Sequence, residues 1–544
     1  MAATTTTTAA TEKPPKLPKD TFREAIETIV FVVVLVLLLK LFVVEAYVIP
    51  TGSMAETLYG YHKLFECPEC RHTFAVNCSE EVVPQDGVVK PVRDCVCPNC
   101  GYQKQFTPTS PSPGSTSGDR VLVHKTWYHI DPPKRWDTVV FKYPEDPQKK
   151  HEPMNYIKRL WSTGNETIAI HRGEVFASKD RFGAPTATTP ESDRDSWKAE
   201  SMNRDTMESL MAFQESQKLG FAGNTRFELL RKPDVVAMAE RRLVYDNDHQ
   251  SKTLIEKGAP PRWASDPVRS TGTDWRMDDP RAPRAFTRDG SGVSFLRYQH
   301  LTENAWVNPP NSKPAPIRNV MGYNSPSTVH DRAGYWAPDL MIECRAVLTD
   351  GAVTLELSKG VDRFQSRFAD GKVTIVRITS GREQIMAERA CAMSRSGTYD
   401  LRFANIDCRL RVWVNGKAVE FNGETDYPLL PVAEYDPLDT GKEGWTKAND
   451  LDAPASIGAA GRVEISAIKL WRDTVYTVIS NDLAPAAYTD YVNTFFVQPD
   501  HSFVLGDNSA QSSDSRWWGV VPRRLMLGRA CFIFMPISRI GFIR

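Results

Sequence analysis

Three observations predict a mainly β protein tied to a membrane by one helix. The strongly apolar run is confined to the N-terminal region, proline is abundant at 38 of 544 residues, and short alternating segments separated by turn residues fill the C-terminal half. Proline fixes φ and removes a donor, so it favours strands, turns and irregular connections over long helices. A hydrophobic content of 41% with 25% charged residues is that of a globular chain, and the length calls for several separate cores. Lys+Arg and Asp+Glu are equal at 67 each, so no net field draws the chain to nucleic acid.

Residues 1–24 read as a disordered cytoplasmic tail, rich in Thr, Ala, Pro and Lys and without periodicity. Residues 25–48 read as a transmembrane helix. Ile29 to Leu39 is uninterrupted and apolar, and Glu27, Lys40 and Glu45 are the charges between Ala25 and Val48. At about 1.5 Å per residue this stretch spans a hydrocarbon core of about 30 Å if Lys40 snorkels. Lys13, Lys16, Lys19 and Arg23 precede it, which places the N-terminus in the cytoplasm and the remaining chain outside. A cleaved secretory signal is the competing reading, with small residues offered around Val44-Glu-Ala46.

Directly after the apolar run comes Ile49-Pro-Thr-Gly-Ser-Met54, where the hydroxyls of Thr51 and Ser53 flank Gly52. Residues 61–106 read as a zinc-ribbon-like unit. Cys67-Pro-Glu-Cys70 and Cys97-Pro-Asn-Cys100 are two C-x-x-C knuckles separated by 26 residues, and six of the ten cysteines fall between Cys67 and Cys100. Paired knuckles let four thiolates converge on one structural Zn²⁺ and leave no open position for catalysis. Two disulfides are the alternative in an oxidising exterior, with Cys78 and Cys95 as further thiols.

A Ser/Thr/Pro linker over 107–118 leads to three strand patterns: Gly118 to Lys125, Trp136 to Phe141, and Asn155-Tyr-Ile-Lys-Arg-Leu-Trp161. In the third, period 2 sets Tyr156, Lys158 and Leu160 on one face, and a lysine on a buried face must be neutral or paired. Residues 176–325 read as an irregular insertion, with one helical piece within Thr225 to Tyr245. Residues 326–479 read as a β-sandwich, with alternating segments from Leu340 to Leu348, Val353 to Leu357, Val373 to Ile378, Leu410 to Val414 and Arg462 to Trp471. Asn415-Gly416 marks a two-residue hairpin turn. This region resembles laminin-G or concanavalin-like jelly rolls, which implies a glycan or an envelope protein as a partner. Near the C-terminus, a strand enters Gly506-Asp-Asn-Ser-Ala-Gln-Ser512-Ser-Asp514-Ser-Arg516, a hydroxyl-rich turn in which Asp514 and Arg516 are set to pair.

Taken in order, these blocks resemble the type I signal peptidases, the Ser/Lys membrane proteases of bacteria and organelles. The matching segments are Ile49 to Met54, Gly118-Asp with Val123-His-Lys125, Trp136 to Phe141, Tyr156-Ile-Lys-Arg159, and Gly506 to Arg516. The resemblance implies an antiparallel β catalytic core made of 49–60, 107–175 and 480–544. It implies Ser53 as nucleophile and Lys158 as general base, without a catalytic cofactor. The Thr51 hydroxyl and the Ser53 N–H would form the oxyanion hole, and Ser512 would orient the amine. Arg159, Asp514 and Arg516 would be structural, with the last two pairing near Arg159. Implied partners are exported preproteins with small residues before the cleavage site and the lipid bilayer. The implied location is the bacterial-type plasma (inner) membrane, single-pass, with the catalytic domain on the outer face. Glu56 stands where the family has a proline, and Ser162-Thr-Gly-Asn-Glu166 replaces its Gly-x-Pro-Gly-Asp. The rival reading is a membrane-anchored glycan- or protein-binding module on an inactive peptidase core. Because 335–475 lies outside the motif blocks, it is expected to be dispensable for peptide cleavage.

Overall fold

The computed structural model describes residues 21–543 apart from 39, 41, 42, 85, 86, 127, 129, 130, 145–153, 183–205, 271–273, 325–335, 430–452 and 478–491. The tail expected over 1–24 therefore lies, through residue 20, outside the described residues. Among the described residues the strands form sheets of eight, four and twelve strands and three two-stranded pairs.

The helix Thr21–Leu38 carries the apolar run with every side chain exposed. Among the described residues no helix is long and apolar enough to cross a membrane. The expected helical span of 25–48 is corrected at its end: Val44–Val48 is a strand, antiparallel to Arg120–His124. Val44, Tyr47 and Val48 are β-formers, and pairing satisfies the backbone groups that a helix there would have bonded internally.

The eight-stranded sheet runs in the order Val44–Val48, Arg120–His124, Met526–Met535, Thr138–Lys142, Asn155–Ser162, His501–Leu505 and Val521–Pro522, with Gly541–Phe542 added beside Met526–Met535. It is covered on both faces. Val140 and Ile157 join Ile49, Met54, Val121 and Val123 on one side, while Val139, Phe141 and Leu160 join Val504 and Trp518 on the other. Alternate residues of one strand thus feed opposite cores, as a period of two requires.

Residues 162–166 form the tight link from Asn155–Ser162 to Glu166–His171. Gly164 has φ +102, and a Cβ there would meet the Gln498 carbonyl oxygen at 2.5 Å. Glu166–His171 then joins Glu174–Ser178, Glu228–Leu229 and Asn493–Val497 in the four-stranded sheet. The core boundary expected at residue 175 is therefore crossed by continuous pairing.

The twelve-stranded sheet overturns the expected irregular insertion at 176–325 and the sandwich boundary at 326. Arg242–Asp246, Trp263–Ser265, Trp275–Met277 and Phe286–Tyr298 belong to the same sheet as Leu340–Lys359 and Ala455–Arg472. Leu340–Lys359 is one 20-residue strand. Its first half pairs with Gly397–Ile406, its second with Asp362–Ala369, and Ala455–Arg472 lies along most of its length. One large apolar core takes in Phe286, Leu355, Phe364 and Ile457 of this sheet, and a second, smaller one takes in Met341, Ala404 and Trp413. The turn Asn415-Gly416 forms as expected, with φ of 49 and 75, between Arg409–Val414 and Lys417–Ala418.

The helical piece expected within Thr225 to Tyr245 is the short helix Asp234–Glu240, flanked by Glu228–Leu229 and the strand Arg242–Asp246. Pro233 at the helix N-cap holds the preceding chain extended, and Arg241 leaves helical geometry.

Candidate active site and cysteine cluster

Ser53 lies in the one-turn 3₁₀ helix Gly52–Met54, which follows the extended Thr51 and is buried throughout. The turn is closely packed: a Cβ on Gly52 would sit 2.5 Å from the Tyr323 ring. Lys158 lies mid-strand in Asn155–Ser162, opposite Val139, and is 2% exposed. Its Nζ donates to Ser53 Oγ at 2.7 Å and to the Ile157 carbonyl oxygen at 2.9 Å. The Tyr156 ring centroid is 5.3 Å from the same nitrogen. Burial pulls the Lys158 ammonium down to about 8, with Asp514 and Asp507 opposing the shift and Arg516 assisting it.

The Gly506-Asp-Asn turn is locked onto the serine turn. Asn508 donates its backbone N–H to the Ser53 carbonyl at 3.0 Å and its Nδ2 to the Gly52 carbonyl at 3.1 Å. Position 506 admits only glycine, since a Cβ would lie 2.5 Å from the Ser53 carbonyl oxygen and 2.1 Å from Ser512 Oγ.

Ser512 is buried beside this turn, but its Oγ has no hydrogen-bond partner among the described residues. The expected bond from Ser512 to the Lys158 amine is not formed, because that amine is directed to Ser53 and Ile157 instead. Thr51 stands at the N-terminal edge of the serine turn and makes no side-chain capping bond.

Asp514 and Arg516 pair as expected, at 2.9 and 2.8 Å, and Arg516 also donates to the Ser509 and Thr477 carbonyl oxygens. Their expected pairing with the Arg159 region is corrected. Arg159, fully buried, makes a bidentate pair with Asp507 at 2.9 and 2.6 Å and lies 2.9 Å from Glu240. Burial, then Asp507, pushes the Glu240 carboxyl up to about 8. His124 is a strand residue beside Val44 and Arg529.

Sequence reasoning assigned no role to the residues that brace this site. Arg242 Nη2 donates to the Ala55 and Asp507 carbonyl oxygens, both at 2.9 Å, so one guanidinium ties the serine turn to the Gly506 turn. Asn324 exchanges two amide hydrogen bonds with Asn508, at 3.0 and 2.9 Å. The signal that could have found Asp507 is the acidic partner that a buried Arg159 demands, since the Gly506 motif contains one. Arg242, Glu240, Tyr323 and Asn324 come from a stretch whose pattern is too weak to mark them.

In the cysteine-rich unit, the pairs His62–Glu66 with Thr73–Asn77 and Asp94–Val96 with Gln103–Gln105 each enclose one knuckle. The knuckles match: Arg71 N–H bonds the Cys67 carbonyl and Gly101 N–H the Cys97 carbonyl, both at 2.9 Å, with φ of 63 and 73 at the two donors. Sγ of Cys67 and Cys100 are 3.7 Å apart, and those of Cys70 and Cys97 3.6 Å. All four sulfurs lie within 4.8 Å of one another. A disulfide needs about 2.05 Å. Tetrahedral Zn²⁺ with Zn–S of about 2.3 Å puts sulfurs about 3.8 Å apart, which the four fit.

A family model described as "Signal peptidase, peptidase S26" matches residues 103–246 and 408–535, which take in Lys158, Arg159 and Ser512 and lie beyond Ser53. The chain is 47% identical over 60 residues to "Probable signal peptidase I-2" of Synechocystis sp., covering 11% of this chain and 27% of that protein. It is 49% identical over 45 residues to "Signal peptidase I" of Leptolyngbya laminosa (8% and 22%) and 44% identical over 61 residues to that of Aquifex aeolicus (11% and 24%). The chain thus spans about a quarter of the length of these relatives. Among solved structures, the carbohydrate binding module CBM66 from Bacillus subtilis aligns with 39% of this chain and 93% of its own at 12% identity, but with a TM-score of 0.19 it carries no fold assignment.

Proposed function

The chain belongs to the signal peptidase family, peptidase S26, and we propose that it is a membrane-bound serine endopeptidase that removes N-terminal signal peptides from exported preproteins. The observation that carries this reading is the 2.7 Å contact between Lys158 Nζ and Ser53 Oγ, made inside the protein by an amine that burial holds near 8. An ordinary lysine near 10.4 is almost wholly protonated at neutral pH and cannot accept a proton. At about 8 a useful fraction is neutral, and the same contact then runs in the opposite direction, with Ser53 Oγ–H donating to the amine.

In the proposed reaction, Ser53 Oγ attacks the scissile carbonyl carbon as Lys158 takes its proton. The tetrahedral oxyanion is received by the Ser53 N–H and the Thr51 hydroxyl, each donor contributing about 3 kcal/mol. The Lys158 ammonium returns the proton to the leaving amine, and an acyl ester remains on Ser53. Water, deprotonated by the neutral amine, then releases the acid. Ser512, buried beside the Gly506 turn with an unpaired hydroxyl, would take the third Lys158 donor when the amine swings from Ile157. The preprotein segment would lie extended beside the site, with small side chains before the cleaved bond.

Further assignments belong to this reading. Residues 25–38 and the chain up to the first strand form a single membrane anchor with the N-terminus cytoplasmic. The body then faces the outer side of a bacterial-type plasma membrane. The strand register sets Val48, Arg120 and Met535 side by side, and with exposed Ile537, Ile540 and Phe542 nearby in the chain this edge would rest on the bilayer. Cys67, Cys70, Cys97 and Cys100 would hold one structural Zn²⁺. The twelve-stranded unit would dock a glycan or an envelope protein.

The test is cleavage of a fluorogenic preprotein peptide by the detergent-solubilised chain beside Ser53→Ala and Lys158→Ala. Activity lost in both variants is expected. A well-folded wild-type protein that cleaves none of several Ala-x-Ala peptides would sink the reading.

A further inference from the structure

The turn that leaves the strand Arg242–Asp246 is bound to both cysteine knuckles. Asn99, buried between Cys97 and Cys100, donates Nδ2 to the His249 carbonyl at 2.5 Å and accepts the Asp246 N–H on Oδ1 at 2.6 Å. His249 Nδ1 lies 3.0 Å from the Cys70 carbonyl oxygen. A carbonyl only accepts, so Nδ1 carries the proton and the neutral ring keeps its lone pair on Nε2. Such an outer hydrogen bond is how metal-binding imidazoles are commonly oriented.

Just beyond Cys70, His72 supplies a second imidazole, its ring centroid 5.4 Å from that of His249 at an interplanar angle of 74°. One ligand atom from each of His72, Asp246 and His249 lies within 4.8 Å of the other two. Bonds of about 2.0–2.2 Å to a central ion reach across a set of that size after small side-chain adjustment. Two imidazoles and a carboxylate suit zinc and its first-row neighbours rather than Ca²⁺ or Mg²⁺, which take oxygen ligands.

The competitor for this cluster is internal. Lys469 Nζ is 2.9 Å from Asp246 Oδ2, and Asp246 Oδ1 accepts the Asp248 N–H at 3.0 Å. The Lys469 side chain is 35% exposed, so it can swing into solvent and yield its place to a cation of higher charge.

We propose that His72, Asp246 and His249 bind one divalent transition-metal ion, separate from the four-cysteine cluster, that pins the cysteine-rich unit to the twelve-stranded sheet. His72 belongs to the first of these and the other two ligands to the second, so the ion would join units that are otherwise linked by the Asn99 and His249 hydrogen bonds and their neighbours.

The experiment is Co²⁺ titration of the metal-stripped, detergent-solubilised full chain, beside His249→Ala and Lys469→Met. Thiolate-to-cobalt charge-transfer absorption counts the metal on cysteines, and equilibrium dialysis counts all of it. The expected result is one Co²⁺ more by dialysis than by absorption in the wild type. His249→Ala should lose that extra ion with its thiolate absorption kept, and Lys469→Met should bind it severalfold more tightly. Equal counts in the wild type would overturn the proposal, as would an extra ion whose affinity neither substitution moves. Because two counts are compared on one sample, failure of the cysteine cluster to bind metal is seen separately and leaves this site testable.

Discussion

Lys158 and Lys232 are both buried, at 2% exposure each, yet their environments drive them in opposite directions. Among the described residues no carboxylate forms an ion pair with Lys158, and burial brings its ammonium down to about 8. Burial opposes charge on Lys232 too, but Asp407 at 2.8 Å, Asp473 at 2.7 Å and Glu240 at 4.0 Å hold it well above the ordinary value. Lys359, close to Asp339 and Glu174, behaves like Lys232. Desolvation is common to all three, so the neighbouring acids decide whether a buried lysine is a base or a structural cation. The acids near the serine are accounted for: Asp507 is held by Arg159 and Asp514 by Arg516. With those acids held by arginines, no carboxylate among the described residues forms an ion pair with the Lys158 amine.

The comparison is broken most severely by making the Lys158 charge permanent. Lys158→Arg keeps a cation beside Ser53, but a guanidinium does not deprotonate in a protein. Peptide cleavage should fall by about 10³-fold or more at every pH, whereas the wild-type rate should climb with a limb near pH 8. A variant with substantial activity at pH 7 would show that neutral Lys158 is not the base.

Next in size is the opposite lysine. Lys232→Met removes the cation and leaves Asp407 and Asp473 buried without it, which should cost about 3–5 kcal/mol and lower the melting temperature. A third, smaller break leaves both lysines in place. Arg242→Ala takes away the donor shared by the Ala55 and Asp507 carbonyls, so the serine turn can shift against Lys158. Cleavage should slow by about 10²-fold in kcat, with KM nearly unchanged. A KM effect alone would mean that Arg242 shapes the peptide groove and not the dyad.

These contrasts also separate what could be read in the sequence from what could not. Ser53 and Lys158 were legible because each sits in a short local block and the blocks, taken in order, resemble the type I signal peptidases; the surroundings of either residue alone do not mark it. The knuckles and the Asn415-Gly416 turn were legible because their geometry is set within a few residues. Arg242, Glu240 and Asn324 act across long separations in chain, and nothing local marks an arginine that bonds two distant carbonyls. The contacts of 335–475 argue on similar grounds against the expectation that it is dispensable for cleavage. That segment supplies the sheet partners of Arg242–Asp246, the acids of Lys232, and Thr474, whose Oγ1 donates to the Glu240 carbonyl at 3.0 Å. Its removal would unsettle the braces of the candidate site along with the twelve-stranded sheet.

The smallest expected effect sharpens the comparison by reversing its sign. Lys158 has a folded value of about 8 against an ordinary 10.5, so between those limits the unfolded chain binds more protons than the folded one. Stability should therefore rise with pH from about 8 to 10.5, and the cost of holding the charged form inside is fully present below pH 8. The gap between about 8 and 10.5 is worth about 3 kcal/mol. Lys158→Met relieves that cost but forfeits the hydrogen bonds to Ser53 and Ile157, each worth about 0.5–1.5 kcal/mol. The net expectation is an inactive protein about 1–2 kcal/mol more stable at pH 7, with the rise above pH 8 removed. Denaturant midpoints at pH 7 and pH 10 read both quantities. If Lys158→Met is destabilised as Lys232→Met is, the two lysines are alike after all, and the contrast on which the proposed base rests is lost.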